Sequence, residues 1–489
     1  MRHTILLAVL LLSPLAALHA SDGPRKPNFL FIYTDDQRYD ALSVVQAEQG
    51  EKARFPWLKT PNLDRIAAEG VRFRNAFVVN SLCSPSRASF LTGCYGHVNG
   101  IINNHTSLAE TSVTHASLLR QAGYATGYIG KWHMGRQSGQ RPGFDFSASF
   151  VGQGKYFDCP FEVNGQTTPT TGWVDDVSTD YAGKFIRERK DKPFLLVLGF
   201  KTCHGPFTPP PRHADTYGEA LARTVPNFAT KAIYRQDGEA GGAKRKRAKL
   251  AQPGPPDEQG RVTTNLGAFR GITAVDENVG RLLKLLDELQ IAGDTMVIFA
   301  SDNGYYLGEH GLGDKRSAYE ESIRIPLLVR YPRLQARGKL VDQFALNVDL
   351  APTLLDFAGV AVPKTMHGRS WRPLLEGRPA ADWRNAFFYC YFREGGFDTP
   401  MVTAVRTESA KLIKYPGHDE WTELFDLKAD AYETKNLAKD PAFGTLKEQL
   451  EAEYQKQSAA IAFRIPDFAD KAQQPAKNEK PARKKGKKQ

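Results

Sequence analysis

Two clusters of oxygen-bearing side chains stand far apart in the chain but in matching surroundings. Asp35-Asp36 follows the apolar run Asn28–Tyr33, and Asp302-Asn303 follows the apolar run Thr295–Ala300. Carboxylate and amide oxygens are the donors that suit a hard divalent cation. One Asp-Asp pair alone would be read as a turn or a helix cap. Two clusters at strand ends, taken with a third motif, favour the cation. That motif is Cys83-Ser84-Pro85-Ser86-Arg87, continuing Ala88-Ser89-Phe90-Leu91-Thr92-Gly93. It has neither metal-finger nor disulfide spacing. A lone cysteine is ordinarily a buried thiol. Here Arg87 lies one helical turn beyond Cys83, so both can face the same site. Lys131 and His133 follow a third apolar run, His204 follows a fourth, and Lys315 sits in Gly313–Glu320. Any one of these alone is more simply structural or solvated; together they are groups that could bind an anion and move protons.

The elements that must position these residues are visible as periodicity. The four apolar runs are Asn28–Tyr33, Ala125–Gly130, Phe194–Phe200 and Thr295–Ala300, and each ends in a polar cluster. Short apolar runs of this kind read as buried parallel strands. Helical patterns lie between them at Leu63–Glu69, Ser117–Ala122, Asp180–Arg189 and Val275–Leu289. Alternation of the two predicts an α/β domain with a mostly parallel sheet flanked by helices. Such sheets bind ligands beyond the carboxyl ends of their strands, where all four polar clusters fall. From about Trp371 the pattern changes to successive strands at Phe387–Phe392, Met401–Arg406, Lys411–Tyr415 and Glu423–Leu427, then a helix over Phe443–Gln457. No internal repeat is present.

Composition sets the frame. A chain of 489 residues, 41% hydrophobic and 24% charged, holds one large domain and a smaller one. Met1-Arg2-His3, the apolar stretch Ile5–Leu18 and Leu18-His19-Ala20 read as a cleaved signal peptide over residues 1–20, implying a secreted or periplasmic protein. An uncleaved anchor is the alternative, but the run is short for a span. The main domain is expected over 21–370, a small C-terminal domain over 371–465 and a disordered basic tail over 466–489. A mobile loop is expected over 237–259. Five cysteines make no disulfide framework, although one pair could bridge. The net charge of +11 gathers at Lys244–Lys249 and in the tail. The tail is either a polyanion contact or simply solvated. No aromatic stacking pattern accompanies it, so nucleic acid is not expected.

The Cys83–Gly93 run resembles the maturation motif of the formylglycine-dependent sulfatases, and further motifs in that family's order extend the resemblance from about Asn28 to Asn436. It implies an alkaline-phosphatase-like fold with a smaller C-terminal α+β domain. It implies that a maturation enzyme oxidises Cys83 to an aldehyde, 3-oxoalanine, whose hydrate attacks sulfur and then expels sulfate. Asp35, Asp36, Asp302 and Asn303, with residue 83, would hold Ca2+, or else Mg2+. Arg87 would orient the nucleophile, Lys131 and Lys315 would bind sulfate oxygens, His133 would assist deprotonation and His204 would protonate the leaving oxygen. By position alone, Glu309 and His310, between the metal cluster and Lys315, are expected to face the substrate, and His97 or His105, after the cysteine helix, to line the pocket mouth. Gly143-Phe144-Asp145, Gly152–Tyr156, Val163-Asn164-Gly165 and Tyr305–Gly311 resemble the glycan-sulfatase branch near N-acetylglucosamine-6-sulfatases and mucin-desulfating enzymes. The implied substrate is a sulfated saccharide. The rival readings are a phosphodiesterase or phosphonate monoester hydrolase of the same superfamily, and a non-catalytic polyanion-binding protein.

Overall fold

The computed structural model describes residues 26–235, 254–378 and 381–466. The expected leader, most of the expected 237–259 loop and nearly all of the basic tail lie outside the described residues. The four apolar runs are neighbouring parallel strands at the centre of a ten-stranded sheet, at Thr295–Ser301, Asn28–Thr34, Phe194–Gly199 and Ala125–Lys131. Phe146–Phe150 adds a fifth parallel strand, followed by the antiparallel Phe161–Val163 and Gln166–Thr168. On the other side come Leu327–Arg330, antiparallel, then Val71–Phe73 and Lys339–Val341.

Side-chain alternation along a strand sends successive residues to opposite faces. In the central strand, Phe29, Phe31 and Tyr33 join one buried core, while Leu30 and Ile32 join the other. Helices Cys83–Thr92, His115–Gln121 and Leu350–Phe357 cover the first face; Pro61–Glu69, Val174–Arg189 and Leu266–Glu288 cover the second. Both faces being covered is why these strands are continuously apolar.

Register brings the strand ends level. Thr34 pairs with Ser301, Tyr33 with Gly199, and Gly130 with Gly199. Gly130 has φ +86°, and a Cβ there would meet the Gly199 carbonyl oxygen at 2.1 Å, so only glycine lets the two strands finish side by side. Residues 35–36, 131–133, 201–204 and 302–303 therefore leave the sheet at one place.

A small antiparallel sheet follows, ordered Ala386–Tyr391, Val402–Thr407, Ala410–Lys414 and Glu423–Asp426, with helix Gly444–Ala460 against it. Trp371 packs on Phe73 in the large core, with ring centroids 5.7 Å apart, so the small sheet begins well after the change of pattern at that residue. Phe387, Tyr389 and Tyr415 join Phe77, Tyr306 and Tyr319 in a core shared by the two sheets' regions. All five cysteines are buried free thiols. Among the described residues, no helix is long and apolar enough to cross a membrane.

Candidate active site

At the strand ends, the carboxylates of Asp35, Asp36 and Asp302 offer oxygens within 4.8 Å of one another. All three are buried. Burial alone raises Asp35, but Lys131 and then Arg87 hold it well below the usual carboxylate range. Burial pushes Asp36 up to about 7 against the opposing charge of Lys315. Burial, then the neighbouring Asp35, raises Asp302. Asn303 is fully buried; its Nδ2 donates to Asp36 Oδ1 (2.6 Å) and to the Gly304 carbonyl (2.9 Å), while its Oδ1 has no partner. A buried amide oxygen without a donor, beside three carboxylates, is an arrangement a cation satisfies. The donor set is all oxygen, so it fits a hard divalent ion. Asp36 adopts φ +67°, an uncommon conformation for a residue with a side chain, which turns its carboxylate into the group.

Cys83 opens the helix Cys83–Thr92, with every residue of that helix buried. Its Sγ donates to Asp35 Oδ1 at 3.5 Å, and burial, then Asp35, pushes the thiol pKa up. Asp35, Cys83 and His204 form a second close group that overlaps the first. Arg87, one turn on, donates from Nη2 to Asp35 Oδ2 (2.9 Å), from Nε to Asp302 Oδ2 (2.8 Å) and from Nη1 to the Lys131 carbonyl. Its guanidinium lies over the Tyr33 ring at 4.8 Å. It thus ties two carboxylates together from beneath the nucleophile position. Lys131 Nζ pairs with Asp35 Oδ2, and Lys315 Nζ donates to both oxygens of Asp36 at 2.7 and 2.8 Å. Burial lowers Lys315, but Asp36 outweighs it and holds the ammonium charged.

The two histidines differ in their partners. The His204 Nδ1 lies 2.8 Å from the Gly205 carbonyl, so it carries the proton and leaves Nε2 for other work. His133, at φ +51°, has Nε2 3.1 Å from the Gln153 amide nitrogen, and its buried Nδ1 has no partner. Burial, then Lys131, depresses both well below the ordinary histidine range, so both are neutral in the free protein.

The sequence-predicted residues Asp35, Asp36, Cys83, Arg87, Lys131, His133, His204, Asp302, Asn303 and Lys315 therefore come together. Glu309 and His310, expected to face the substrate, are buried among other partners. Glu309 is fully buried, pairs with Arg38 (2.6 Å) and Arg54, and accepts from Leu307 N at 2.6 Å. His310 is buried flat against Tyr319, with ring centroids 3.8 Å apart, and meets Asn227 and Thr230, each at 3.1 Å. His97 is buried as well, 2.9 Å from the Ile461 carbonyl and edge-on to Phe463. His105 is more open, 3.7 Å from Glu394.

Two groups beside the site were not singled out from sequence. Lys201 is buried, donates to the Gln153 carbonyl (2.8 Å) and lies over the Tyr156 ring at 4.8 Å. Burial, then Lys131, lowers it to about 8. Asp175 accepts from the backbone N–H groups of Lys201 (2.8 Å) and Thr202 (3.0 Å), fixing the turn that leads to His204. The available signal was position: Lys201 stands at the start of a polar cluster already placed at a strand end. A cavity next to Asp36 is walled by Phe207, Phe269, Tyr305 and Leu307.

The chain also matches known proteins. A family model described as Sulfatase matches residues 27–360, and one described as N-sulphoglucosamine sulphohydrolase, C-terminal, matches residues 308–460. The chain is 34% identical over 498 residues to N-acetylglucosamine-6-O-sulfatase of Bacteroides thetaiotaomicron, spanning 87% of this chain and 86% of that protein. A solved structure of a protein in complex with its substrate D-glucosamine-2-N,6-O-disulfate superposes with a TM-score of 0.80 at 31% identity, over 91% of this chain and 99% of that one. Phosphonate monoester hydrolase of Agrobacterium radiobacter has the same fold, with a TM-score of 0.70 at 22% identity over 89% of this chain and 96% of that one.

Proposed function

The chain belongs to the sulfatase family and is a sulfuric ester hydrolase, and from that premise we propose that it removes sulfate from a sulfated saccharide, using a nucleophile made from Cys83 beside a divalent cation. One observation carries the reading. Three carboxylates and an unpartnered amide oxygen surround the same point as Arg87, Lys131, Lys315 and residue 83.

An oxidised, hydrated residue 83 supplies one hydroxyl to attack sulfur and a second whose deprotonation releases sulfate. A cation held by Asp35, Asp36, Asp302 and Asn303 supplies positive charge for the anionic oxygens; calcium fits, with magnesium the alternative. Every other task falls to the chain's own groups. Lys131 and Lys315 offer ammonium charge on two sides of the carboxylate group, where a sulfate ester's oxygens would sit. Arg87 holds Asp35 and Asp302 in place, and through them the nucleophile's surroundings. His133 is neutral and its Nε2 accepts from the Gln153 amide, so the ring proton sits on Nδ1 and Nε2 is the atom that can take a proton, in exchange for that hydrogen bond. His204 keeps Nδ1 occupied by the Gly205 carbonyl, so its Nε2 is the atom that can protonate the departing alkoxide. An arriving anion raises its pKa and favours the imidazolium needed for that step. The saccharide substrate is argued from the relatives, which include an N-acetylglucosamine-6-O-sulfatase and a protein bound to a glucosamine disulfate. A leader over residues 1–20 would carry the protein out of the cytoplasm, where a basic tail can meet a polyanion.

Mass spectrometry of the tryptic peptide Asn75–Arg87 from active protein tests the nucleophile. The expected result is exchange of the Cys83 sulfur and two hydrogens for one oxygen; an intact thiol in active protein overturns it. Rates on an aryl sulfate and an aryl phosphate diester separate the reading from the phosphonate-hydrolase alternative raised by the shared fold. Faster hydrolysis of the diester would favour that alternative.

A further inference from the structure

Glu394 belongs to the small domain, shortly after the strand Ala386–Tyr391, yet its carboxylate reaches the large domain's site. It is 2% exposed. Its Oε2 accepts from Arg316 Nη2 (2.6 Å) and Nε (3.1 Å), and its Oε1 accepts from the Asn104 backbone N–H at 2.9 Å. Each partner adjoins a central residue. Arg316 follows Lys315, whose ammonium holds Asp36. Asn104 accepts through Oδ1 from the backbone N–H of Ser84 at 3.0 Å, in the first turn of the helix that begins at Cys83. One carboxylate therefore joins the segment carrying Lys315 to the start of the nucleophile's helix. A second tie, from Ser322 Oγ to the Lys315 carbonyl and to Ser81, holds the same segment by another route.

We propose that Glu394 is a positioning residue for sulfate ester hydrolysis, setting the spacing between Lys315 and residue 83; this rests on the reading of those two as sulfate holder and nucleophile. The carboxylate suits the task because one oxygen receives both arms of the Arg316 guanidinium while the other receives a main-chain N–H. Arg316 is packed over the Phe397 ring, 3.3 Å from its centroid, and also pairs with Asp314 at 2.6 Å. Losing Glu394 thus leaves Arg316 paired and the fold closed, while the link toward Asn104 is gone. Freed of that link, the Lys315 segment and the helix start can drift apart by fractions of an ångström. Reactions that need aligned groups are sensitive to such drift.

The test compares wild type, Glu394→Ala and Glu394→Gln, all matured at residue 83, on an aryl sulfate and on a sulfated glucosamine. For Glu394→Ala, kcat is expected to fall on the order of 10²-fold on both substrates, with KM nearly unchanged. Glu394→Gln keeps an acceptor for Asn104 and should lose roughly tenfold. Titration of inorganic sulfate should show binding to Glu394→Ala close to that of wild type, in keeping with the unchanged KM. A rise in KM confined to the sugar, with the aryl sulfate unaffected, would make Glu394 a substrate contact and overturn the proposal. A lower melting temperature with unchanged kcat per folded molecule would overturn it too. An inert but matured wild type would strike at the sulfatase reading itself and remove the proposal with it.

Discussion

At the strand ends, Asp35, Asp36 and Asp302 meet Arg87, Lys131 and Lys315; at the junction with the small domain, Glu320 and Glu433 meet Arg406 and Lys411, with Glu321 and Glu423 beside them. Donor types alone do not tell these clusters apart. His310, Glu321 and Glu433 lie as near one another as the three aspartates do. Pairing does. The strand-end cluster sets three acids against three cations, and each acid is paired directly with at least one of them. At the junction Arg406 and Lys411 pair with Glu320 and Glu433, while burial lifts the other two acids, Glu423 to about 7 and Glu321 to about 8, so that protons help neutralise them. Tyr319 and Tyr415 hydroxyls close over Glu423 at 2.9 and 2.7 Å. The first cluster holds Asp35 charged, leaves the Asn303 amide oxygen unpartnered and sits where strands end, beside a cavity. The second gives up charge and is sealed between two packed regions. Paired charge around an open oxygen donor at a strand end is the mark of a working site, and charge relinquished within a core is the mark of a structural one.

The largest test of this contrast is Asp302→Asn. It removes a charge while keeping the size of the side chain. Loss of one preorganised electrostatic group should lower kcat on the order of 10²- to 10³-fold. Wild type should gain thermal stability on addition of calcium, and the variant should gain much less. Sulfate-release kinetics and a melting curve with and without calcium measure both. Unchanged kcat together with an unchanged calcium response would remove Asp302 from the cation site and erase the distinction between the clusters.

Next in size is Glu423→Gln at the junction, read through pH. The unfolded carboxyl titrates near 4.3 and the folded one at about 7, so between those values the folded state binds more protons. Stability from this group is fully present below about pH 4.3 and is lost as pH rises through about 7. The loss is on the order of 3 kcal/mol. Gln cannot ionise, so the variant's stability relative to wild type should rise from pH 5 to pH 8, as urea denaturation would show. Turnover near neutrality should be little affected. A stability difference that does not change with pH would mean Glu423 is ionised throughout and keeps its charge, as Asp35 does at the strand ends.

How far these two regions can be read before folding follows from how each is built. The strand-end residues are legible because four apolar runs each finish in a polar cluster, and parallel register brings clusters at equivalent positions together. The short outer strands Phe161–Val163 and Gln166–Thr168 carry too few residues to show a period. Glu394 is invisible because Arg393-Glu394-Gly395-Gly396 looks like an ordinary polar turn, and its two partners come from elsewhere in the chain. The expectation for Glu309 and His310 rests on nearness in sequence to Asp302 and Lys315. Their actual partners, Arg38, Arg54, Asn227 and Tyr319, are fixed by tertiary packing that no local pattern encodes.

His310→Gln offers the smallest and most selective test, because it separates nearness in sequence from nearness in function. The ring lies flat on Tyr319 and uses both nitrogens, toward Asn227 and Thr230. Gln can replace part of the hydrogen bonding but none of the stacking. Burial holds His310 near pKa 3, so no charge is lost in the exchange at neutral pH. The expected cost is therefore about 1–2 kcal/mol of stability, from the aromatic contact and one weakened hydrogen bond. With the junction still intact, KM and kcat for a sulfate ester should stay within about twofold of wild type, since no binding interaction common to substrate and transition state is removed. A rise in KM with stability unchanged would return His310 to the substrate and show that the two clusters are parts of one site.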